Sequence, residues 1–258
     1  MCGIGAIISL SPYNLETLMN IPLNQLYRGT KGCGIAWTDF RSIYLIKDPI
    51  SPKTFKNKYE LVLKTVTTKM AIIHHRLPSH GDVKYENTHP FISCPRSPVR
   101  FAFCHNGTWY NPNEYREKLE EQGHIIQGET DSEVIMHMIE EEINVESDLI
   151  NAMKKFDDAG VLVAMTKNKI YVVSGSRSIY LGKAPKCVIL ASTIKAIKNT
   201  ASKMKTKIEK YYSIKYCTIS LNNSVIKIAG VITPVKPVFK SGLLPTSIIH
   251  YLDGGWYE

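Results

Sequence analysis

Apolar residues gather in short runs along this chain, and their spacing separates strands from helices. Runs of strand length, rich in Ile, Val, Ala, Phe and Gly, occupy 3–9, 33–38, 42–47, 70–75, 100–105, 160–166, 169–175, 178–182, 187–191 and 214–221. Helical periodicity marks 15–27, 56–68 and 113–122, and in 131–143 Val134, Ile135, Met138, Ile139 and Ile143 fall on one face. A further basic amphipathic helix places Ile194, Ile197, Ala201 and Met204 on one stripe and Lys195, Lys198 and Lys205 away from it, which predicts a docking face. Clustered strands with helices between them predict an α+β fold. No repeat, low-complexity tract or Gly/Ser linker divides the chain, so 1–258 reads as one domain with 233–258 as a C-terminal extended arm.

At 44% hydrophobic over 258 residues the chain has ample material for a core. The net charge of +9 comes mainly from scattered lysines. No Arg-rich block with interleaved aromatics accompanies it, so the charge reads as a solvated surface and not as a nucleic-acid footprint. There is no charged leader with an apolar core and cleavage site, and no run of about 18 apolar residues that would span a bilayer. A cytoplasmic protein without membrane contact is expected. The six cysteines form no CxxC pair, which in a reducing compartment predicts free thiols.

The chain opens "MCGIGAIISL", a cysteine in front of a buried-strand pattern. If Met1 is removed, Cys2 carries a thiol and an α-amine on one residue. Their ordinary pKa values, about 8.5 and about 7.7–8.0, are close enough for the amine to activate the thiol. The alternative is that Cys2 is only a small residue permitting Met1 excision. In "HHRLPSHG" (74–81), Arg76 just past a strand is placed to fork two hydrogen bonds onto a carboxylate, with the Ser79 hydroxyl nearby; the alternative is an Arg paired with a structural acid. In "HNG" (105–107), the Asn106 amide and the Gly107 N–H suit a developing oxyanion, while Asn-Gly is equally a favoured hairpin turn. In "GETDSE" (128–133), Thr130 and Glu133 have capping-box spacing, and Asp131 is aimed either at the helix dipole or at a substrate ammonium. His74, His75, His80, His89, Cys94, Cys104 and His105 match no HExxH or paired-Cys spacing, so no metal is expected among them.

In this order, "MCGI", "YRGTKGCGIA" (27–36), "HHRLPSHG", "HNG" and "GETDSE" resemble the motifs of class II glutamine amidotransferase domains, a branch of the N-terminal-nucleophile hydrolases. Weaker similarity runs through "NTHPF" (87–91) and "SGSRSIYLG" (174–182) to "CVILAST" (187–193), so the resemblance covers about 1–200. It implies a four-layer αββα sandwich, two antiparallel sheets between helix layers. It also implies glutamine as substrate, Cys2 as nucleophile, and Asn106 and Gly107 as oxyanion donors. Arg76 would bind the α-carboxylate and Asp131 the α-amino group, with Ser79 and His80 in the same turn and Arg28 behind the nucleophile. No cofactor is implied. Leu77-Pro78 and Thr30-Lys31-Gly32 depart from the family's aromatic-small and aromatic-acidic-Ser runs, in turns that would close over glutamine. Only about 58 residues follow position 200, too few for the family's acceptor domain, so a glutaminase subunit with a separate synthase chain is expected and an oligomer is left open. A stand-alone γ-glutamyl amide hydrolase and a catalytically silent module on the same fold are the alternatives.

Overall fold

The run after Cys2 is an interior strand of the sheet and not its edge. A computed structural model describes residues 1–79, 81–222 and 225–236. Along the chain come β1 (Gly3–Asn14), α1 (Leu15–Leu18), α2 (Asn20–Leu23), β2 (Cys33–Thr38), β3 (Ile43–Asp48), α3 (Pro52–Lys58), α4 (Glu60–Thr65), β4 (Thr67–His75), β5 (Phe91–Ile92) and β6 (Ala102–Gly107). There follow α5 (Pro112–Glu121), α6 (Asp131–Glu141), α7 (Leu149–Lys154), β7 (Gly160–Met165), β8 (Lys169–Ser174), β9 (Tyr180–Lys183), β10 (Cys187–Ala191), α8 (Ile194–Lys203), β11 (Lys210–Asn222) and β12 (Val225–Val235). The strands hydrogen-bond in the order β3-β2-β4-β1-β10-β9-β11-β8-β7-β6-β5, every pair antiparallel, with β12 attached to β11.

Three clusters of buried side chains show how this ladder curls into layers. One lies between its two halves, with Ile4, Ala6, Ile8 and Ile72 meeting Ala102, Cys104, Val163 and Val172. A second packs the outer face of β1, β2, β4 and β10, through Ile7, Ile35, Ile73 and Ile189, against Leu15, Leu18, Phe55 and Ile197 of the helices. The third packs Phe103, Leu162, Ala164 and Val173 under Ile135, Ile139 and Met153 of α6 and α7. The result is helix, sheet, sheet, helix, with the two expected sheets joined edge to edge through β9 and β11. Central strands buried on both faces read as continuous apolar runs, which is why they were legible.

The helices differ from expectation in detail. The 15–27 segment is broken into α1, α2 and a 3-10 turn at Leu26–Arg28. The 56–68 segment starts earlier, where Ser51 Oγ accepts from Thr54 N (3.2 Å) and Pro52 supplies a preset first-turn φ; it breaks at Tyr59, and Thr67 and Thr68 already belong to β4. The apolar stripe of α8 is not a docking face. Ile197 and Ala201 are buried in the chain's own core, with Ile194 and Met204 packed against it, leaving a lysine face outward. Residues 233–235 of the expected arm pair in β12, and the arm from 237 onward lies outside the described residues.

Candidate active site

Cys2 is held at three points, by the strand that follows it, by the Leu77 main chain and by the Arg28 side chain. Gly3 pairs with His75 across the β1–β4 ladder, and its bare α-carbon lies over the His75 ring, where a Cβ would come within 1.9 Å of Cε1. The Cys2 Sγ contacts the main chain of Leu77, accepting from its N–H at 3.3 Å and facing its carbonyl at 3.4 Å. Arg28, buried in the 3-10 turn, donates from Nε to the Cys2 carbonyl (3.1 Å) and lies 3.9 Å from Met1 Sδ. Burial pushes the Cys2 thiol up, while the Leu77 N–H and the positive charges of the terminus, Arg76 and Arg177 pull it down. The terminal amine, on Met1 here, is lowered mainly by its own burial. With Met1 attached, the Cys2 nitrogen is a peptide amide and has no basicity.

Arg76 follows β4 directly and is 3% exposed. The 29–32 loop clamps its main chain: Arg76 N donates to Gly32 O (2.8 Å) and Lys31 N donates to Arg76 O (2.9 Å). Its guanidinium donates to the carbonyls of Asp82 (2.7 Å) and Gly81 (3.0 Å), which aims the side chain and fixes the following turn. That turn is tied to the start of α6 by Glu129. The Glu129 carboxylate accepts from Asp82 N (3.0 Å), Asn87 Nδ2 (3.0 Å) and Lys84 Nζ (2.5 Å), and the Lys84 bond first of all holds its pKa down at about 2. Ser79 is exposed in the same turn, and His80 lies outside the described residues.

Asn106 and Gly107 are not a hairpin turn. Both remain in register with β7, Asn106 opposite Val161 and Gly107 opposite Gly160. Backbone packs on backbone here, since a Cβ on Gly107 would stand 1.6 Å from the Ala159 carbonyl oxygen and Gly160 has a φ of 129° that favours glycine. Asn106 is 1% exposed, and its Nδ2 has no hydrogen-bond partner among the described residues. An orphaned buried donor costs about 1–3 kcal/mol and calls for a reason. Just beyond, Trp109 N donates to Asp131 Oδ2 (2.7 Å), so the strand end is tied to the first residue of α6. Thr130 Oγ1 caps Glu133 N (3.4 Å), but the Glu133 carboxylate reaches the loop instead, accepting from Gln127 N (3.0 Å) and Gly128 N (2.6 Å); only half of the expected capping box forms.

These pieces converge. The Arg76 guanidinium feels the charges of both Cys2 and Asp131. β6 packs across the sandwich from β1, and His74 Nε2 bridges to the His105 carbonyl (3.1 Å). Arg177, between β8 and β9, acts by charge on Cys2, the terminal amine and His105, and was not singled out from the sequence although it lies within "SGSRSIYLG". The large open cleft of about 1120 Å3 against Lys69, Arg100 and Thr166 is at the opposite ends of β4 and β7 and has no part in this site.

The sequence profile of the class II glutamine amidotransferases matches residues 24–171. A glutamine–fructose-6-phosphate aminotransferase of Methanothermobacter thermautotrophicus is 34% identical over 79% of this chain and 35% of its own length. An amidophosphoribosyltransferase of Methanocaldococcus jannaschii is 31% identical over 74% of this chain and 42% of its own. Among solved structures, the glutamine phosphoribosylpyrophosphate amidotransferase of B. subtilis superposes with a TM-score of 0.67 at 21% identity, covering 89% of this chain and 49% of that one, a likeness of fold. This chain thus spans less than half the length of these relatives. The fold is that of the N-terminal-nucleophile hydrolases, and with more than half of its residues matched to the family profile the chain belongs to the class II glutamine amidotransferases.

Proposed function

We propose that this chain releases ammonia from the side-chain amide of glutamine, with Cys2 as nucleophile once Met1 is removed, and passes the ammonia to a separate synthase chain. The observation that carries the reading is Asn106: a buried NH2 group without a partner among the described residues, on a strand end that packs across from β1, is a donor kept for a charge that exists only during reaction. The Cys2 α-amine takes the thiol proton as Sγ bonds to the amide carbon, and Asn106 and Gly107 receive the oxyanion. Collapse expels the amide nitrogen, which leaves as ammonia with the proton the amine carried. Water then gives a proton to the amine and its oxygen to the thioester, so glutamate departs and the thiol is restored.

Arg76 binds the glutamine α-carboxylate and Asp131 the α-ammonium, with Ser79 and His80 bordering the substrate and Arg28 holding the nucleophile from behind. Two relatives named as aminotransferase and amidophosphoribosyltransferase support transfer in preference to plain hydrolysis. Six free cysteines suit a reducing compartment, which supports the cytoplasm, and no helix among the described residues is long and apolar enough to cross a membrane.

An electrophilic glutamine analogue tests the assignment. It adds its mass to the N-terminal peptide bearing Cys2, and Cys2→Ala loses both the label and ammonia release. Label on Cys33, Cys94 or Cys104 instead overturns the nucleophile. Full, glutamine-specific turnover by the isolated chain with no synthase captured overturns the transfer and leaves a self-sufficient hydrolase.

A further inference from the structure

A second group of chemistry-bearing side chains lies away from Cys2, on the buried flank of α6. His137 and Glu140 stand one turn apart on that helix, His124 comes from the connection between α5 and α6, and Cys94 from the connection after β5. We propose that Cys94, His124, His137 and Glu140 form a structural zinc site. Their ligand atoms all lie within 4.8 Å of one another, and His124, His137 and Glu140 are buried while Cys94 sits at the mouth.

Five of the six separations lie close to tetrahedral edges, and the sixth, Cys94 Sγ to the Glu140 carboxylate, is within 4.8 Å. With Zn–S near 2.3 Å and Zn–N and Zn–O near 2.0–2.1 Å, tetrahedral edges come to roughly 3.3 Å between N or O ligands and roughly 3.6 Å between S and N. Here the two Nδ1 atoms are 3.1 Å apart, Glu140 Oε2 is 2.9 Å from His137 Nδ1 and 3.4 Å from His124 Nδ1, and Cys94 Sγ is 3.6 Å and 4.0 Å from the same two nitrogens. His124 Nε2 faces the Glu141 carboxylate at 2.6 Å, so that in the neutral ring with its proton on Nε2 the Nδ1 lone pair points inward, as a metal ligand requires. That nitrogen, the sulfur and the Glu140 oxygen all lie around His137 Nδ1. A divalent cation serves all four.

The surroundings match a metal site as well. The Glu141–His124 pair is a carboxylate orienting a ligand imidazole, and the Cys94 N–H donates to the other Glu140 oxygen, fixing that carboxylate. One thiolate and one carboxylate neutralise a divalent cation, so the filled site has no net charge to bury. Mixed S, N and O ligands favour zinc over magnesium or calcium, and four protein ligands close the shell against a reactive water. Bound zinc staples the connection after β5, the connection before α6 and α6 itself, the helix that begins at Asp131. The site was invisible in the sequence because the partners of Cys94 lie 30, 43 and 46 residues downstream, outside any paired-ligand spacing.

Metal analysis of the full chain, purified from zinc-supplemented medium and dialysed without chelator, tests this. About one zinc per chain is expected, in line with a closed four-ligand site. Cys94→Ser and His137→Gln lose it, Cys2→Ala keeps it, and Glu141→Gln binds zinc about 10–100-fold more weakly. Because a ligand variant that misfolds also loses metal, cobalt is titrated into the apo wild-type chain. A sulfur-to-cobalt charge-transfer band with tetrahedral d–d absorption is the supporting result. Folded wild-type chain that takes up neither zinc nor cobalt overturns the site, as does uptake that survives in Cys94→Ser or disappears in Cys2→Ala.

Discussion

Acidifying the buffer from about pH 7.5 to about pH 5.5 tests the histidines packed behind the active site. His74, His75 and His89 are buried; His74 and His89 stack with ring centroids 4.1 Å apart, and His75 donates to the Gln25 carbonyl at 3.2 Å. Burial drives all three toward the neutral form, His75 down to about 3 and the other two well below their ordinary 6.5. A native value below the unfolded one makes stability complete above pH 6.5 and lost as pH falls from 6.5 toward the native value, a window of about 6.5 to about 3 for His75. While the native imidazoles stay neutral, this two-unit step costs about 1.4 kcal/mol per histidine, or about 4 kcal/mol for the three, against a typical total of about 5–15 kcal/mol. Most carboxylates titrate below this range and add little. Urea unfolding followed by circular dichroism reads the loss as a midpoint shift of about 2 M for a urea slope of about 2 kcal/mol/M. His89→Phe retains a ring against Phe91, 4.6 Å away, and removes one proton acceptor, so the acid loss shrinks by about 1.4 kcal/mol. Stability that is flat over this range, or an unchanged loss in His89→Phe, refutes the reasoning.

Two further outcomes separate the roles in the site from the scaffold beneath it. Asn106→Ala lowers kcat about 10²–10³-fold with KM little changed, because the oxyanion exists only along the reaction path, while Arg76→Lys and Asp131→Asn raise KM by an amount equivalent to about 1.5–3 kcal/mol; steady-state ammonia release distinguishes the two patterns. Gly3→Ala drives a methyl into the His75 ring and costs about 1–3 kcal/mol in a thermal or urea melt, whereas Ser79→Ala, at an exposed position, stays within about 0.5 kcal/mol.

The central strands and the helix over 131–141 were legible because burial on both faces, or on one stripe, writes itself into periodicity. The two-residue β5 and the six-residue α7 were not, being too short to show a period. β12 alternates half-buried and exposed positions and escaped for want of an apolar run. Cys2, Arg76, Asn106 and Asp131 stood out because each sits where a regular element begins or ends. Arg177 did not, since what places it is the pairing of β8 with β7 and β11 and the fit of Gly175 against the Asp157 carbonyl, neither of which leaves a local pattern. The docking stripe on α8 was misread because amphipathicity shows that a face is covered and does not say by what.

The Ala159 carbonyl accepts from His105 Nε2 and from Thr108 N, each at 3.0 Å, and occupies the space a side chain on Gly107 would need. No codon change at position 159, short of one that moves the main chain, deletes that oxygen. The acceptor at this end of β6 is thus beyond the reach of a side-chain substitution, while the His105 donor and the room beside Gly107 are not. A saturation scan across 105–108 and 159–160 would therefore lose fitness at Gly107 and Gly160 by what each new residue adds, whereas at His105 it would lose fitness by what each removes.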